Sequence, residues 1–315
     1  MAQNYIAVIG HPCRDTTHFP DGRTERSLGG IVFGSLAMAA LARELDIDIV
    51  PVIAPGTDIA QEIFALLGSA GCRLDAVRTV PQNTQHSEIT VTGNNERTER
   101  ATGALPHIEL AHVEPWLTGH AVAINFITGS ELRLDTLRRI YERASGPVIV
   151  DYHAIAQQIE PDGRRAYRRR ADWAAWIGAT TVVQMNRHEA EVIAGRTLEK
   201  PADAAAFARE LLHLGPTAAV VTLDRDGAAG AERAPDGFAT YLVDAVCPPE
   251  IVDTVGCGDV FHAALALGWV RYGRLLPALE LSTAAAGLHA GYVGITGIGT
   301  LDHAWSHVRT TAAGQ

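Results

Sequence analysis

The chain has 315 residues, of which 47% are hydrophobic and 20% are charged, and its formal net charge is −10. A mass of 33.6 kDa allows a large buried core, so we expect the fold to need neither disulfides nor a structural metal. The acidic balance excludes nucleic acid and an anionic membrane surface as main partners, because both would repel such a chain.

The basic residues are divided unevenly between arginine and lysine. Lys200 is the one lysine among 26 basic residues. This excludes a P-loop nucleotide site, a protein kinase and a Schiff-base enzyme, because each depends on a lysine near the reacting group. Lys200 precedes a proline in a segment typical of an exposed loop, so any phosphate chemistry here must proceed without a lysine.

Cysteine and histidine spacing argues against disulfide and metal chemistry. The four cysteines form no CxxC pair, and the 13 histidines show no HxH or HExxH spacing. The N-terminus lacks a signal-peptide pattern, and the apolar stretch Leu28–Ala42 is too short to span a bilayer. We therefore expect a soluble cytoplasmic protein with no membrane partner.

Short apolar runs rich in β-branched residues alternate with helical segments along most of the chain. The predicted strands are Tyr5–Gly10, Ile47–Ile53, Val122–Ile127, Val148–Asp151, Thr181–Met185 and Ala219–Leu223. Helical patterns are typical of Leu28–Ala42, Leu132–Ala144 and Ala202–Leu214, and of most of Asp259–Gly291. This alternation predicts one α/β domain over residues 1–315, with a mainly parallel sheet covered on both faces.

Two polar segments depart from this pattern. Ser87–Thr92 alternates polar and apolar residues before a turn signal at Gly93-Asn94-Asn95, which predicts a hairpin with one wet face. Arg14–Ser27 is polar, shows little strand character and contains a Pro20-Asp21-Gly22 turn. We expect these excursions, about residues 13–27 and 84–104, to form a small lid over the α/β core.

The sharpest feature is a glycine-rich turn in IVDTVGCGDVF, residues 251–261. Gly256, Cys257 and Gly258 precede an apolar helical run, so backbone N–H groups and the helix dipole would favour an anion there. Asp259 lies in the first turn of that helix, where its carboxylate can take the proton of a hydroxyl nucleophile. On these residues alone, an N-capping aspartate after a flexible turn is the alternative.

The segment DTVGCGD resembles the DTxGAGD signature of the ribokinase-like, or pfkB-type, carbohydrate kinases. Three further elements occur in the order typical of that family: Leu28-Gly29-Gly30 resembles its GG motif, MNRHE (residues 185–189) its NxxE element, and VTLDRDG (residues 221–227) its VTLGxxG segment. The resemblance covers about residues 5–300. It implies a three-layer α/β/α fold with a mainly parallel central sheet and a small β lid.

The same resemblance implies the residues that would handle ATP. Asp259 would be the general base, and Asn186 and Glu189 would order Mg²⁺ through water. The backbone N–H groups implied for the transferred phosphoryl group are those of Gly256, Cys257 and Gly258. The contacts implied for ATP are Asn186, Thr222 and Gly227.

The residues implied for the acceptor substrate are Asp15, Gly29, Gly30, Gly34, Asp253 and His153. Asp253 could instead hold a monovalent cation such as K⁺. His153 follows the predicted strand Val148–Asp151, at the end of the sheet where α/β proteins bind ligands, and a structural role is its alternative. The same alternative applies to His11.

Three positions depart from the family pattern. Gly34 stands where the GG motif usually continues to an asparagine, which indicates an atypical substrate. Asp224 replaces a glycine of the nucleotide segment, where a carboxylate would repel a phosphate unless it faced solvent or a cation. Cys257 replaces an alanine, which is conservative if only its N–H is used, and a redox-sensitive thiol is the alternative.

The activity implied is ATP-dependent phosphorylation of an alcohol group on a sugar. A nucleoside kinase of the same fold, acting on a ribose 5′-hydroxyl, is one alternative, and Gly34 leaves room for it. A non-catalytic ATP or sugar sensor is another, but the retention of Asp259 argues against it. The basic segment Arg164–Trp176 is predicted to be a solvated helix, not a nucleic-acid patch, and two subunits could pair through the lid.

Overall fold

The structure is a computed structural model that describes residues 3–91 and 97–309. Its strands are β1 (Gln3–Gly10), β2 (Pro12–His18), β3 (Thr24–Gly30), β4 (Asp48–Val52), β5 (His86–Val91), β6 (Arg97–Thr102), β7 (Gly119–Asn125), β8 (Val148–Asp151), β9 (Gln157–Ile159), β10 (Arg165–Tyr167), β11 (Val182–Asn186), β12 (Ala218–Thr222), β13 (Ala228–Ala234) and β14 (Gly237–Val243). Its α-helices are α1 (Ile31–Ala42), α2 (Ala60–Ser69), α3 (Leu110–Val113), α4 (Leu134–Arg143), α5 (Trp173–Ile177), α6 (Arg187–Ala194), α7 (Pro201–Leu211), α8 (Cys257–Tyr272) and α9 (Leu275–His289). A 3-10 helix follows over Ile298–His307. The predicted turn at Gly93-Asn94-Asn95 lies outside the described residues.

The main sheet has eight strands in the order β14-β13-β12-β11-β8-β7-β1-β4. From β4 to β12 neighbouring strands are parallel, and β13 and β14 add an antiparallel edge. All six predicted strands are present, with ends that differ by at most three residues. Their continuous apolar runs suit strands that are buried on both faces.

Helices cover both faces of the main sheet. Ile6 and Val8 of β1 pack into a core with α1, α8 and α9, whereas Ala7 and Ile9 pack on the opposite side with α4, α6 and α7. Every residue of α1 is buried. A Cβ at Gly268 would lie 2.7 Å from Cα of Ala278, so glycine there allows α8 to pack closely against α9. The predicted three-layer α/β/α arrangement is confirmed.

The lid is a separate four-stranded sheet in the order β3-β2-β5-β6. The prediction that Arg14–Ser27 has little strand character is wrong, because most of it forms β2 and β3, with the predicted turn at Pro20-Asp21-Gly22 between them. Strand β2 is held by β3 on one side and by β5 on the other. This pairing over long sequence distances supplies the strand conformation that the polar sequence does not indicate. Leu28–Gly30 belong to β3, so the predicted helix begins only at Ile31.

The basic segment Arg164–Trp176 is not a continuous helix, so that prediction is also wrong. Arg165–Tyr167 forms β10, which pairs with β9, and the helix α5 covers only Trp173–Ile177. Ala101 N–H of β6 donates to the carbonyl of Gly163, just before β10. The small β9–β10 hairpin therefore joins the lid to the α/β body.

The carboxyl ends of β1, β7, β8, β11 and β12 lie at one edge of the main sheet, because these strands are parallel. In an open α/β sheet this edge is where ligands bind. Within the described residues, no helix is long and apolar enough to cross a membrane.

Candidate active site

Helix α8 begins at the glycine-rich turn and has no side-chain cap. Its N-cap Gly256 has φ 82°, and a Cβ there would lie 2.6 Å from Cδ1 of Phe33, so both conformation and space require glycine. A Cβ at Gly258 would meet nothing within 4 Å, so this residue borders open space. In the described part of the chain, the N–H groups of Gly258 and Asp259 have no hydrogen-bond partner. This helix start is therefore suited to an anion such as a phosphate.

Asp259 stands in the first turn of α8, beside this anion site. Its Oδ1 accepts a hydrogen bond of 2.8 Å from Nδ2 of Asn125, the last residue of β7. No other described residue forms a hydrogen bond to its Oδ2. Burial raises the pKa of Asp259 to about 7, although His153 and the amide of Asn125 favour the ionised form. A carboxylate with this pKa can accept a proton near neutral pH.

Three polar side chains lie side by side on the sheet beneath the start of α8. Asn125, Asp151 and Gln184 are register partners on β7, β8 and β11, so their side chains share one face. Gln184 donates weakly from Nε2 to the carbonyl of Gly258 at 3.4 Å, and its buried Oε1 has no partner among the described residues. Burial raises the pKa of Asp151 well above its usual range. This polar row, Asn125–Asp151–Gln184, supports the first turn of α8.

Asn186 and Glu189 form a capping box at the start of α6. Asn186 Oδ1 accepts from the N–H of Glu189, and Glu189 Oε2 accepts from the N–H of Asn186. Glu189 Oε1 also accepts from Nδ1 of His153 at 2.7 Å. Burial alone would lower the pKa of His153, but the carboxylates of Glu189 and Asp151 raise it to about 9. His153 is therefore a cation at neutral pH.

The capping box limits how Asn186 and Glu189 could hold Mg²⁺. Every side-chain oxygen of the two residues is already hydrogen-bonded within the protein, and Glu189 is 1% exposed. Mg²⁺ usually keeps several waters, so the two residues fit contacts to its water shell but not direct ligation. The described ranges also contain no group of three or more His, Cys, Asp or Glu side chains that could hold a metal.

The lid carries Asp15 on β2, buried and directed toward the same region. Its Oδ1 accepts from the thiol of Cys13 at 3.2 Å, and a Cβ at Gly29 would overlap its Oδ2. Burial raises the pKa of Asp15 to about 6, against the opposing effects of Cys13 and Arg165. The charge of Asp15 in turn raises the pKa of Asp259, so the lid carboxylate and the candidate base lie within electrostatic reach of each other.

A family model described as the pfkB family carbohydrate kinase matches residues 34–298. The chain belongs to the pfkB family. It is therefore a kinase, a phosphotransferase for which ATP binding follows from the family. The resemblance stated from DTVGCGD and its three companion motifs is confirmed.

Sequence and structure comparisons agree with this assignment. The chain is 30% identical over 274 residues to a cytidine kinase of Thermococcus kodakarensis, with 86% of this chain and 90% of that relative covered. The ribokinase of Giardia lamblia superposes with a TM-score of 0.78 at 17% identity, covering 96% and 99% of the two chains. The ribokinase of Arabidopsis thaliana, complexed with ribose and ATP, superposes with a TM-score of 0.75 at 19% identity, covering 98% and 99%.

The pfkB GG motif brings β3 and α1 up to the site. Gly30 is the N-cap of α1 with φ 67°, and a Cβ there would lie 2.6 Å from the carbonyl oxygen of His11. Gly34 lies one turn later, where a Cβ would lie 3.9 Å from both Nδ2 of Asn125 and the carbonyl oxygen of Asp259. Glycine in place of the family's asparagine therefore removes a side chain that would contact Asn125 and the backbone of Asp259.

The pfkB nucleotide segment lies around the end of β12. Thr222 and Asn186 are register partners on β12 and β11, so the structure brings these two predicted ATP contacts together. Gly227 has φ 85°, and a Cβ there would overlap the carbonyl oxygen of Val243 at the end of β14. Asp224 is exposed, so its carboxylate faces solvent.

Asp253 occupies a different position from the other predicted substrate contacts. Its Oδ1 accepts from the N–H of Val255 at 2.9 Å, and its Oδ2 accepts from the N–H of Gly294 at 3.1 Å. Its two hydrogen bonds therefore join the loop before α8 to the loop after α9. The thiol of Cys257 donates to the carbonyl of Ala286 on α9, so its side chain is directed toward α9.

Arg165 is a site residue that the sequence interpretation missed. Its side chain is 7% exposed; Nε pairs with Glu99 of the lid at 2.9 Å, and Nη1 donates to the carbonyl of Ile127 after β7. Its position within a run of arginines carried no distinguishing signal.

For Asn125, Asp151 and Gln184 the only signal is a polar residue at the end of an apolar strand. His11 is buried and contacts Thr128, as a structural histidine would.

Proposed function

We propose that this kinase transfers the γ-phosphoryl group of ATP to an alcohol group of a sugar or sugar-like molecule, with Asp259 as the general base. The observation that carries the proposal is the juxtaposition at the start of α8. There the N–H groups of Gly258 and Asp259 have no partner among the described residues, and Gly258 borders open space. Oδ2 of Asp259 likewise has no hydrogen bond from another described residue. An anion site and a proton acceptor thus occupy one helical turn.

The chemical step follows from this arrangement. Oδ2 of Asp259 takes the proton of the acceptor hydroxyl, whose oxygen forms a bond to the γ-phosphorus. The bond from that phosphorus to the β–γ bridging oxygen breaks, and ADP leaves with its electron pair. The N–H groups of Gly258 and Asp259 would stabilise the charge on the transferred group, whereas the N–H of Cys257 donates to the carbonyl of Thr254 at 3.4 Å. Phosphoryl transfer needs mainly positioning and electrostatic stabilisation.

Charge neutralisation in this acidic chain does not depend on lysine. The imidazolium of His153 lies beside Glu189 and Asp151 at the sheet edge. Mg²⁺, when bound, would neutralise phosphate charge, with Asn186 and Glu189 contacting its water shell. Asp253 fits a structural role that joins two loops, since both of its carboxylate oxygens accept hydrogen bonds from backbone N–H groups. No step of the proposed reaction depends on a K⁺ ion at Asp253.

The two substrates would approach from opposite sides of the start of α8. Asp15 on the lid would accept hydrogen bonds from acceptor hydroxyls, and Gly29 leaves it the space that a side chain would fill. ATP would lie along Asn186, Thr222 and Gly227. Exposed apolar side chains that would suit a purine ring lie on the segments before α8 and after α9, at Ile251, Val252, Tyr292, Val293 and Ile295.

A nucleoside acceptor is the second candidate. The cytidine kinase of Thermococcus kodakarensis is more similar in sequence to this chain than either ribokinase. Glycine at position 34 lies beside Asn125 and Asp259. It would leave more room for a large acceptor than an asparagine at this position would. A ribose 5′-hydroxyl and a sugar hydroxyl would meet the same base in the same way, so the reaction step is common to both candidates.

The test is an acceptor panel with Mg²⁺ and ATP, scored by ADP release and by ³¹P NMR of the product. Ribose, other sugars, cytidine and other nucleosides make up the panel. We expect one class to be phosphorylated and Asp259→Asn to reduce kcat by about 10²–10⁴, the usual contribution of a general base. Nucleotide binding, measured by calorimetry, should remain.

The matched control is Asp236→Asn, the same change at an exposed turn between β13 and β14. It should retain wild-type turnover. Near wild-type turnover in Asp259→Asn would contradict the assignment of the base. Nucleotide binding by the wild type without transfer to any acceptor would favour a sensor instead.

A further inference from the structure

Asn125 is the one described side chain that forms a hydrogen bond to the carboxylate of Asp259. It is 1% exposed and closes β7, where its backbone is held by register pairing to Gly10 of β1 and to Asp151 of β8. Its amide therefore projects from a central strand that is paired on both sides. The hydrogen bond joins the central sheet to the first turn of α8.

Over residues 3–91 and 97–309, no other element offers Asp259 a side-chain donor. Helix α1 presents Gly34, which has no side chain, although its Cβ position would be 3.9 Å from Nδ2 of Asn125. The titratable groups that face Asp259 are Asp151 on β8, His153 after β8 and Asp15 on the lid. Of these, only His153 is cationic, and its Nδ1 already donates to Glu189.

We infer that Asn125 is the positioning residue of the base: its amide holds Oδ1 of Asp259 so that Oδ2 faces the acceptor hydroxyl. This inference rests on the proposed function of Asp259. In this family's signature the amide at position 34 is usual, and here that position is glycine. Beside Asp259, the side-chain amide therefore comes from Asn125 of β7, and α1 has none at position 34.

The hydrogen bond has a measurable electrostatic consequence. The amide donates to the ionised carboxylate, so it lowers the pKa of Asp259 in a site where burial raises it. Without the amide, more of Asp259 would be protonated at neutral pH and unable to act as a base. A residue that only filled space at this position would not affect this equilibrium.

The experiment is a carboxyl titration followed by ¹³C NMR in aspartate-labelled protein, with the Asp259 signal assigned by its loss in Asp259→Asn. We expect Asn125→Leu to raise the pKa of Asp259 by about one pH unit, the usual worth of a hydrogen bond to a charged group. Asn125→Asp has nearly the same shape but adds a negative charge, so it should raise that pKa further.

Thr180→Val is the matched control for loss of a buried polar contact. Thr180 donates to the carbonyl of Ile177 just before β11, at the opposite edge of the sheet. The Thr180→Val substitution should reduce thermal stability without changing the pKa of Asp259. An unchanged pKa of Asp259 in Asn125→Leu would overturn the inference.

Kinetics separate this inference from the proposed function. In Asn125→Leu, kcat should fall at least tenfold with little change in the acceptor KM, and the acid limb of kcat/KM should move to higher pH with the titration. An acid limb that stayed in place would also overturn the inference. If wild type phosphorylated no acceptor, the proposed function would fail, whereas the NMR titration would still decide the role of Asn125.

Discussion

Asp224 has a backbone conformation that favours glycine. It has φ 51° in the left-handed region, within the segment where the family has a glycine, and its side chain is exposed. Left-handed conformations are strained for residues with a Cβ, although aspartate tolerates them better than most. Its neighbour Asp226 pairs with Arg187 at 2.6 Å. No described residue forms an ion pair with Asp224, which thus adds a negative charge near the proposed ATP site.

Asp224→Gly should therefore benefit both stability and ATP binding. We expect the free energy of unfolding to rise by up to about 1 kcal/mol, because relief of strain exceeds the extra entropy of the unfolded glycine. The KM for ATP should fall about twofold to fivefold, since an exposed like charge is removed. Urea denaturation and steady-state kinetics measure the two effects.

The chain provides a matched control in Asp46, the other non-glycine residue with a left-handed φ within the described ranges, at 54°. Asp46→Gly should give a similar gain in stability with no change in the KM for ATP. If both variants changed that KM equally, the charge of Asp224 would not act on the nucleotide.

At the scale of elements, the start of α8 contains two glycines with different roles. We expect Gly256 to be needed for folding and Gly258 to be needed for function. Gly256 has a positive φ and no room for a Cβ beside Phe33, whereas Gly258 has an ordinary φ and open space. The same substitution at these two positions therefore tests different properties of one turn.

Gly258→Ala should fold with wild-type stability, because alanine is favourable in a helix and its methyl meets no neighbour. We expect the methyl to occupy phosphate space, so kcat/KM for ATP should fall at least tenfold. Gly256→Ala should instead lower the melting temperature, because it imposes a clash and a strained φ. Wild-type kinetics in Gly258→Ala would contradict the anion site.

A second element-scale feature is the ion pair between Arg165 of β10 and Glu99 of β6. It joins the β9–β10 hairpin to the lid, in parallel with the backbone hydrogen bond from Ala101 to Gly163. Arg165 also contacts the carbonyl of Ile127 beside the site. Because the guanidinium is buried, its partner contributes more than an exposed partner would.

Glu99→Gln should loosen the lid. We expect backbone hydrogen exchange in β6 to accelerate about tenfold or more and the acceptor KM to rise, because one charge of a buried pair is left without its partner. Glu25→Gln is the control, since it removes the partner of Arg23 in an exposed pair of the same lid. Equal effects of the two variants would argue against a special role for the buried pair.

At the scale of the whole molecule, the site exists only where distant segments meet. Asp15 comes from the lid, Asn125 and Asp151 from the sheet, and Asp259 from a C-terminal helix. Burial raises the pKa of Asp15 to about 6 and that of Asp259 to about 7. The charge of Asp15 also raises the pKa of Asp259.

The raised pKa of Asp259 predicts the pH dependence of the enzyme. A general base acts when ionised, and folding raises the pKa of Asp259, so activity should be lost as the pH falls through about 7. We expect kcat/KM for the acceptor to rise with pH between about 6 and 8. A circular dichroism signal that stays constant over this range would exclude unfolding as the cause, and a flat kcat/KM profile would contradict the assignment.

Much of the fold could be predicted from the sequence because its signals are local. Apolar runs such as Val148–Asp151 are short and β-branched, which identifies buried parallel strands independently of their partners. The glycine-rich turn before Asp259 and the NxxE box at Asn186 are likewise read from adjacent residues. These local features determined the α/β class, the pfkB family and the candidate base.

Only the tertiary structure decided what surrounds that base. Asn125, Asp151 and Gln184 are separated in sequence and become neighbours through the register of three parallel strands. Arg165 has the sequence context of a solvated helix, but pairing with β9 places it under the lid. Polar strands β2 and β3 likewise form because of their partners. Each of these results depends on long-range pairing and burial, which no local pattern encodes.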